Sequence, residues 1–452
     1  MTYLSVKNER DGVLSILLFV NEGQEFLGPA AEHVLAARNW TDSSRRLIMR
    51  MSRGTLERQI TLDQLIGACS SRPVEQIQPV AREILRMSVY CLYHMDSMPE
   101  HAVVNEAVEL TKKRGLAKLS GFVNGVLRSV LRRKESGEDA ETLTSPEAIY
   151  SAPSWIIRQW NDDYGKDKAL TMLESLYEER PLTARVNETR ISREELIGLW
   201  RAQGIDCDII KELKTGISFF SAGLIGEMPG FKEGLFYVQD YGSILASEIV
   251  PLTGAEHVLD LCAAPGGKAT ALAERLLAMN SEAGQTGTVL ACDKTEGKTV
   301  LIRENASRLG ITNLTTLMND ALNRRSDWAE SFDVVIADLP CSGLGVIGRK
   351  PDIKLRMTPE DITSLIPLQR EILDHAAGYV RPGGYLLYST CTVSRRENEE
   401  QVKDLLNKHP EYSKVPFEFD GQMTDGSLQL LPGVHKSDGF YMSLLRKEEK
   451  HE

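Results

Sequence analysis

The sequence predicts a chain of three parts that ends in a doubly wound α/β domain. Helical apolar spacing dominates before residue 140, a polar gap and mixed patterns follow, and short apolar runs alternate with amphipathic helices after residue 257. At about 150 residues per domain, 452 residues suffice for three domains. We therefore expect a helical domain over residues 1–140, a small α+β module over 145–234 and an α/β domain over 235–448.

The first part has the apolar spacing of helices. Ile84, Leu85, Val89 and Leu92 recur at three- and four-residue steps, which places them on one helix face. Strand signals are few there, so this domain is predicted to be all-helical. The polar stretch 134–141 is typical of a linker or loop.

Strand signals first appear in the middle part, at Leu182–Val186, and dominate the last part. The strands predicted for the last part are 258–261, 288–292, 314–318, 332–337 and 385–388. Helices are predicted to begin near Gly267, Glu296, Thr358 and Ser394, with a turn at 381–384 before the fifth strand. We expect the tail, 428–446, to form a closing antiparallel hairpin.

Composition excludes several classes of protein. The formal net charge of −11 argues against a protein that coats nucleic acid through bulk positive charge. Seven scattered cysteines without a C-x-x-C pair indicate neither a disulfide framework nor a zinc site, so we expect no metal and a reducing, cytoplasmic compartment. No apolar run is long enough to span a bilayer, and we expect no membrane partner.

One local run of positive charge stands out against this acidic background. We call it the basic run: Lys112, Lys113, Arg114, Lys118, Arg128, Arg132, Arg133 and Lys134. It can be a face that contacts phosphates, although a solvated helix surface is the commoner explanation for such a run.

The ends of the predicted strands indicate a nucleoside ligand. Ligands of open parallel sheets bind beyond the carboxyl ends of the strands. The small-residue turn 261–268 follows the first strand and lacks both the dinucleotide and the phosphate-loop spacings. Asp293 after the second strand can hold ribose hydroxyls, and Asp320 after the third can lie near an adenine edge. Together they favour an adenosyl ligand without a pyrophosphate, for which S-adenosylmethionine is the commonest cofactor on this fold.

Two cysteines follow the fourth and fifth predicted strands. Cys341 and Cys391 lie among small or polar residues, with Asp338 nearby, and they emerge at one sheet edge if strands one, four and five are neighbours. We interpret the other five cysteines as small buried apolar residues. A thiolate beside a methyl donor suits methylation of a pyrimidine C5, because addition at C6 makes C5 electron-rich and an acid at N3 stabilises the adduct.

Four segments carry a family resemblance: 259–268, 338–346, 350–354, and 388–391 followed by 397–399. They resemble the RNA 5-methylcytosine methyltransferases of the NOL1/NOP2/Sun type, and in particular the bacterial members that act on small-subunit ribosomal RNA. The resemblance implies a Rossmann-like class I S-adenosylmethionine-dependent domain, preceded by a NusB-like helical RNA-binding domain and a small α+β RNA-binding or linker module.

The resemblance also implies a reaction and its residues. The chain would methylate C5 of a specific cytosine in 16S ribosomal RNA, with Cys391 as the nucleophile at C6, Cys341 assisting product release and Asp338 contacting N3 of the base. We also expect a monomer that does not act on DNA. The implied cofactor residues are Cys262, Ala263, Ala264, Pro265, Gly266, Gly267, Lys268, Asp293, Asp320 and Asp338.

Three other functions compete with this interpretation. A DNA cytosine-5 methyltransferase shares the chemistry, but it places its nucleophile in the Pro-Cys loop and carries a late target-recognition domain, for which the stretch after Cys391 is short. A non-catalytic RNA-binding or antitermination factor has no use for Cys341, Cys391 and Asp338. A small-molecule methyltransferase leaves the helical domain and the basic run unexplained.

Overall fold

The computed structural model describes residues 6–23, 25–220, 223–283 and 287–449. The chain divides into two compact units. Unit 1 comprises Met1–Glu174 and Ile347–Arg356, and unit 2 comprises Ser175–Val346 and Met357–Glu452. In the described ranges no helix is both long and apolar enough to cross a membrane.

The helices and strands are numbered in chain order. The helices are α1 (Glu9–Asn21), α2 (Leu27–Ala36), α3 (Asp42–Glu57), α4 (Gln59–Cys69), α5 (Pro79–His94), α6 (Glu100–Lys113), α7 (Ser120–Ser136), α8 (Asp139–Thr142), α9 (Pro146–Tyr150), α10 (Ser154–Tyr164), α11 (Lys166–Glu174), α12 (Arg193–Ala202), α13 (Tyr241–Glu248), α14 (Gly267–Ala283), α15 (Glu296–Leu309), α16 (Ile353–Arg356), α17 (Pro359–Tyr379) and α18 (Glu399–Lys408). The strands are β1 (Leu182–Val186), β2 (Cys207–Ile209), β3 (Gly216–Phe219), β4 (Phe236–Val238), β5 (His257–Asp260), β6 (Thr288–Asp293), β7 (Leu314–Met318), β8 (Phe332–Asp338), β9 (Val380–Thr390), β10 (Tyr412–Lys414), β11 (Glu418–Phe419), β12 (Gln422–Met423), β13 (Ser427–Leu430) and β14 (Phe440–Lys447).

Unit 1 is helical, as predicted, and the apolar faces of α1 to α7 form its core. The loop predicted at 134–141 is wrong for most of its length. Helix α7 continues to Ser136, ends at Gly137 with a left-handed φ of 77°, and α8 begins two residues later. The polar residues stay helical because they find partners: the Lys134 ammonium donates to the Leu92 carbonyl oxygen and to Glu100.

The segment Ile347–Arg356 belongs to unit 1, although the chain before and after it belongs to unit 2. Asp352 accepts the Leu27 N–H at 2.8 Å and so satisfies an otherwise unpaired donor at the start of α2. Lys354 donates to the Glu57 carbonyl oxygen at 2.7 Å, and burial lowers the pKa of this lysine to about 7. The sequence placed 350–354 inside the α/β domain because chain order alone cannot show where a loop packs.

Unit 2 begins with a small antiparallel sheet in the order β2-β3-β1-β4. Strand β1 has the bounds that the sequence predicted. Helix α12 lies against this sheet, and its Trp200 packs between Phe219 and Phe236 with ring centroids 4.9 Å away on each side. The middle part is therefore a small α+β module, as predicted.

The larger sheet of unit 2 has the order β10-β14-β9-β8-β5-β6-β7. Strands β5 to β9 are parallel, whereas β14 pairs antiparallel with β9 and with β13, which confirms the closing hairpin. The predicted turn at 381–384 instead lies within β9, where an irregularity in its pairing with β8 absorbs the Pro-Gly-Gly residues. The α18 helix begins at Glu399, later than predicted, after a short 3-10 turn at Arg395–Glu397.

This strand order places β5, β8 and β9 side by side. Their carboxyl ends therefore meet at one edge of the sheet, and the small-residue turn after β5 lies beside the two loops that carry Cys341 and Cys391. The fold is thus a Rossmann-like methyltransferase sheet that collects the predicted site residues at this edge.

Candidate active site

The turn between β5 and α14 is hydrogen-bonded to the small antiparallel sheet. Gly266 has a φ of 106°, a conformation that favours glycine. Arg185 on β1 donates to the Gly267 carbonyl oxygen at 2.5 Å and to Gln239 at 2.7 Å, and it forms a buried ion pair with Glu274 at 3.0 Å. The sequence predicted a strand at Leu182–Val186 but no role for Arg185, because these contacts depend on how β1 packs against the turn.

Asp260, the last residue of β5, is the acid that the sequence analysis missed. It is 1% exposed, and neither carboxylate oxygen makes a hydrogen bond of ordinary geometry to the described residues. Burial, reinforced by the nearby carboxylate of Asp338, raises the pKa of Asp260 to about 7. A buried carboxylate without partners is costly, so this oxygen pair fits a positively charged or hydrogen-bonding ligand. The only signal in the sequence was an acid that ends an apolar strand just before the turn.

The next two strand-end acids are held by backbone and lysine. Asp293 is buried; its carboxylate accepts the Ala264 N–H at 3.1 Å and the Lys294 N–H at 2.7 Å, and it pairs with the Lys298 ammonium at 3.0 Å. A carboxylate offers about four acceptor positions, so one remains for a hydroxyl. The Lys294 side chain pairs with Asp320 at 2.9 Å, and this hydrogen bond lowers the pKa of Asp320.

Asp338, at the end of β8, is fixed by one donor on each carboxylate oxygen. The Lys268 ammonium donates to Oδ2 at 2.7 Å and the Ser389 hydroxyl to Oδ1 at 2.8 Å. Lys268 is buried, donates also to the Ser243 hydroxyl at 3.2 Å, and lies 5.1 Å from the Phe440 ring. The predicted cofactor lysine and the predicted base-contacting acid are therefore one ion pair.

The two predicted catalytic cysteines are in contact, and we call them the thiol pair. The Sγ atoms of Cys341 and Cys391 lie 3.4 Å apart. The hydrogen bond from this neighbour, together with burial, holds the pKa of Cys341 well above its ordinary value. The Cys391 carbonyl oxygen accepts the Gly345 N–H at 3.1 Å, which ties the two cysteine loops together.

The remaining predicted residues lie along the same turn. The Ala263 N–H donates to the Cys292 carbonyl oxygen at 2.8 Å, and the Asn305 amide donates to the Pro265 carbonyl oxygen at 3.0 Å. Cys262 packs against the apolar core, and burial raises its thiol pKa. The site thus offers two acids at neighbouring strand ends, a small-residue turn and the buried acid Asp260, a donor and acceptor set that fits S-adenosylmethionine.

The structure separates the basic run into two groups. Four of its cations form ion pairs: Arg114 with Asp11, in a buried pair at 2.6 Å, and Lys112, Arg133 and Lys134 with Glu109, Glu138 and Glu100. In the described ranges no ion pair engages the remaining exposed cations. These are Lys113, Lys118, Arg128 and Arg132.

Comparison with known proteins places the chain in a family. Residues 248–446 match the model of the 16S rRNA methyltransferase RsmB/F family, residues 7–132 that of the NusB family, and residues 152–223 that of an RsmF/B-like ferredoxin-like domain. The probable ribosomal RNA small subunit methyltransferase B of Bacillus subtilis is 33% identical, over 97% of this chain and 98% of that protein.

Two further proteins are similar over most of the chain. The ribosomal RNA small subunit methyltransferase B of Vibrio vulnificus is 32% identical, over 89% of this chain and 91% of its own length. The crystal structure of PH0851 superposes with a TM-score of 0.81 at 26% identity, covering 99% of this chain and 100% of that one. The chain therefore belongs to the 16S rRNA methyltransferase RsmB/F family, whose cofactor is S-adenosylmethionine.

Proposed function

We propose that this protein methylates C5 of a cytosine in 16S ribosomal RNA. The observation that carries the proposal is the thiol pair, Cys341 and Cys391, at the edge of the sheet where Asp338 also ends. A C5 methyl transfer needs a nucleophile for C6 and a group that assists its release, and two thiols 3.4 Å apart can supply both. Methylation of an exocyclic amine needs neither thiol.

Each residue then has a defined task. Cys391 adds to C6 of the base, and Asp338 holds a proton at N3, with the Lys268 ammonium as the nearest hydrogen-bonded donor. After methyl transfer a water molecule takes the C5 proton, the C5–C6 double bond re-forms and the C6–S bond breaks, and Cys341 assists this release of the Cys391 thiolate. Bound S-adenosylmethionine supplies the methyl group, and the turn 262–268 with Asp293 and Asp320 would hold it.

We expect most contacts to the RNA backbone to come from unit 1 rather than from the α/β domain. Lys113, Lys118, Arg128 and Arg132 are exposed on α6, α7 and the loop between them, where they can contact phosphates. The target base must be unpaired or extruded to reach a thiol at the sheet edge. A monomer and the three-part division 1–140, 145–234 and 235–448 remain predictions of the sequence.

The test is methyl transfer to small-subunit ribosomal RNA that lacks the modification. Labelled methyl from S-adenosylmethionine is followed on a denaturing gel for wild type, Cys391→Ala, Cys341→Ala and the matched control Cys69→Ala, which alters a cysteine of unit 1. We expect wild type and the control to transfer methyl, Cys391→Ala to lose transfer, and Cys341→Ala to accumulate a denaturant-resistant protein–RNA adduct.

Two results would contradict the proposal. Adduct formation by Cys391→Ala with none by Cys341→Ala would move the nucleophile to the Pro-Cys loop and reopen the DNA-type alternative. RNA binding without methyl transfer by wild type, in unmodified RNA, would favour the non-catalytic binding factor.

A further inference from the structure

A buried glutamate lies beneath both cysteine loops, and neither the sequence analysis nor the proposed reaction gives it a task. Glu397 is 0% exposed and follows Cys391 by six residues. Its Oε1 accepts the Ser342 N–H at 2.8 Å, and its Oε2 accepts the Ser342 hydroxyl at 2.6 Å and the Thr392 hydroxyl at 3.3 Å. Ser342 follows Cys341 and Thr392 follows Cys391, so one carboxylate holds the residue after each thiol.

The hydroxyls themselves complete this bridge. Ser342 Oγ and Thr392 Oγ1 lie 2.7 Å apart, and both residues are buried. In the described ranges no lysine, arginine or histidine forms an ion pair with Glu397, so its charge is compensated by hydrogen-bond donors. A buried charge held only by donors is sensitive to the loss of any one of them.

The next residue fixes the Cys391 loop from both sides. Asn398 is also fully buried; its Oδ1 accepts the Thr390 hydroxyl at 2.6 Å, and its Nδ2 donates to the Thr392 carbonyl oxygen at 3.0 Å. These contacts lie immediately before and immediately after Cys391. The Asn398 side-chain amide therefore fixes the backbone conformation at Cys391.

A third buried side chain performs the same task for the other thiol. The Gln369 amide donates to the Pro340 carbonyl oxygen at 2.9 Å and to Glu397 at 3.1 Å. Pro340 precedes Cys341 in the chain. Gln369 and Glu397 thus hydrogen-bond the residues before and after Cys341, as Asn398 does for Cys391.

We propose that Glu397 and Asn398 are positioning residues that hold Cys341 and Cys391 at the separation the reaction needs, and that the Glu397 charge is required for this. The inference rests on the proposed function, because it assigns the pair to the cysteine chemistry. Neither residue touches the base. An error of about 1 Å in the placement of reacting groups can lower a rate by about 100-fold, which is the scale of effect expected here.

The isosteric variant Glu397→Gln is expected to fold. Its amide nitrogen can take the Oε2 place, where it faces the hydroxyls of Ser342 and Thr392, and these can rotate to accept. The Ser342 N–H keeps an acceptor. What is lost is the negative charge and with it the strong, directed hydrogen bonds that fix both loops.

The experiment measures three quantities on the full chain for wild type, Glu397→Gln and the matched control Glu400→Gln, an exposed acid at the start of α18. They are the single-turnover rate of methyl transfer, the Kd for S-adenosylmethionine and the pH profile of iodoacetamide alkylation of the thiol pair. For Glu397→Gln we expect a rate about 100-fold lower, an unchanged Kd, and alkylation of Cys341 at lower pH because a neighbouring negative charge is gone. Glu400→Gln should match wild type in all three.

A wild-type methyl-transfer rate and alkylation profile in Glu397→Gln would overturn the inference. A purely structural role would weaken cofactor binding and stability without moving the thiol profile, and that result also counts against it. If wild type itself transfers no methyl to C5, the proposed function fails, but the alkylation profile still tests the positioning. Should Glu397→Gln not fold, Ser342→Ala and Thr392→Val interrupt the same bridge, and each must then lower the transfer rate with the Kd unchanged.

Discussion

Substitutions of two neighbouring cations, Lys113 and Arg114, test the proposed RNA contacts of unit 1 separately from its internal ion pairs. The Arg114 guanidinium lies 2.6 Å from Asp11, and the two side chains are 9% and 8% exposed. Removing one partner of such a buried pair costs about 3–5 kcal/mol. Arg114→Met should therefore lower the melting temperature of the protein by on the order of 10 °C. Among the described residues, the Asp11 carboxylate would then keep only the Lys7 N–H as a hydrogen-bond donor.

Lys113→Met should leave the melting temperature unchanged and alter RNA binding instead. Lys113 is exposed and makes no ion pair in the described part of the chain, so its loss should leave the melting temperature within about 1 °C. If it contacts a phosphate, the slope of log affinity for RNA against log salt should become shallower by about 0.7–0.9. The assays are thermal unfolding and RNA binding at several salt concentrations. A stable Arg114→Met that loses RNA affinity as Lys113→Met does would refute this division of the basic run.

Three shorter predictions concern the sheet edge. Folding keeps a proton on Asp260 up to about pH 7, whereas an unfolded aspartate loses it near 3.8. Stability should therefore fall as the pH rises between these values, by about 3 kcal/mol from pH 5 upward. Asp260→Asn, compared with wild type by denaturant unfolding at pH 5 and pH 8, should remove most of this fall. Peroxide should join Cys341 and Cys391 in a disulfide with release of two waters, detected by peptide mass spectrometry; two thiols that stay reduced at full exposure to oxidant would contradict their 3.4 Å separation. Gly345→Ala, whose Cβ would clash with the Gly439 carbonyl oxygen and lie 2.8 Å from the Cys391 carbonyl oxygen, should lower methyl transfer at least about tenfold, whereas Gly297→Ala, with nothing within 4 Å, should not.

The strands could be predicted because the strands of a parallel sheet that is buried on both faces have continuous apolar sequences. Strands β5 to β8 are found within one residue of the predicted bounds. Strand β9 is longer than predicted because its pairing with β8 tolerates the Pro-Gly-Gly residues as an irregularity, which local turn chemistry does not reveal. The position of Ile347–Arg356 in unit 1 depends on long-range packing and carries no local signal.

The sequence predicts which single residues at the strand ends form the site. It does not predict which of them contact one another. Lys268 and Asp338 are 70 residues apart, and their ion pair depends on the adjacency of β5 and β8. Ser342 and Glu397 are 55 residues apart and meet through the adjacency of β8 and β9. The same limit applies to Arg114, whose acid partner lies 103 residues earlier in the chain.

The neighbours of the thiol pair make two similar side chains chemically unequal. Two thiolates 3.4 Å apart would repel strongly, so the pair gives up one proton much more readily than two. The Cys391 contact and burial raise the pKa of Cys341, and the Glu397 carboxylate adds to this. The side chain that contacts the residues both before and after Cys391, Asn398, is neutral. This asymmetry supports Cys391 as the thiolate nucleophile and Cys341 as the neighbouring thiol that keeps its proton. The opposite assignment would develop a negative charge on Cys341 beside a buried carboxylate, where that charge is least stable.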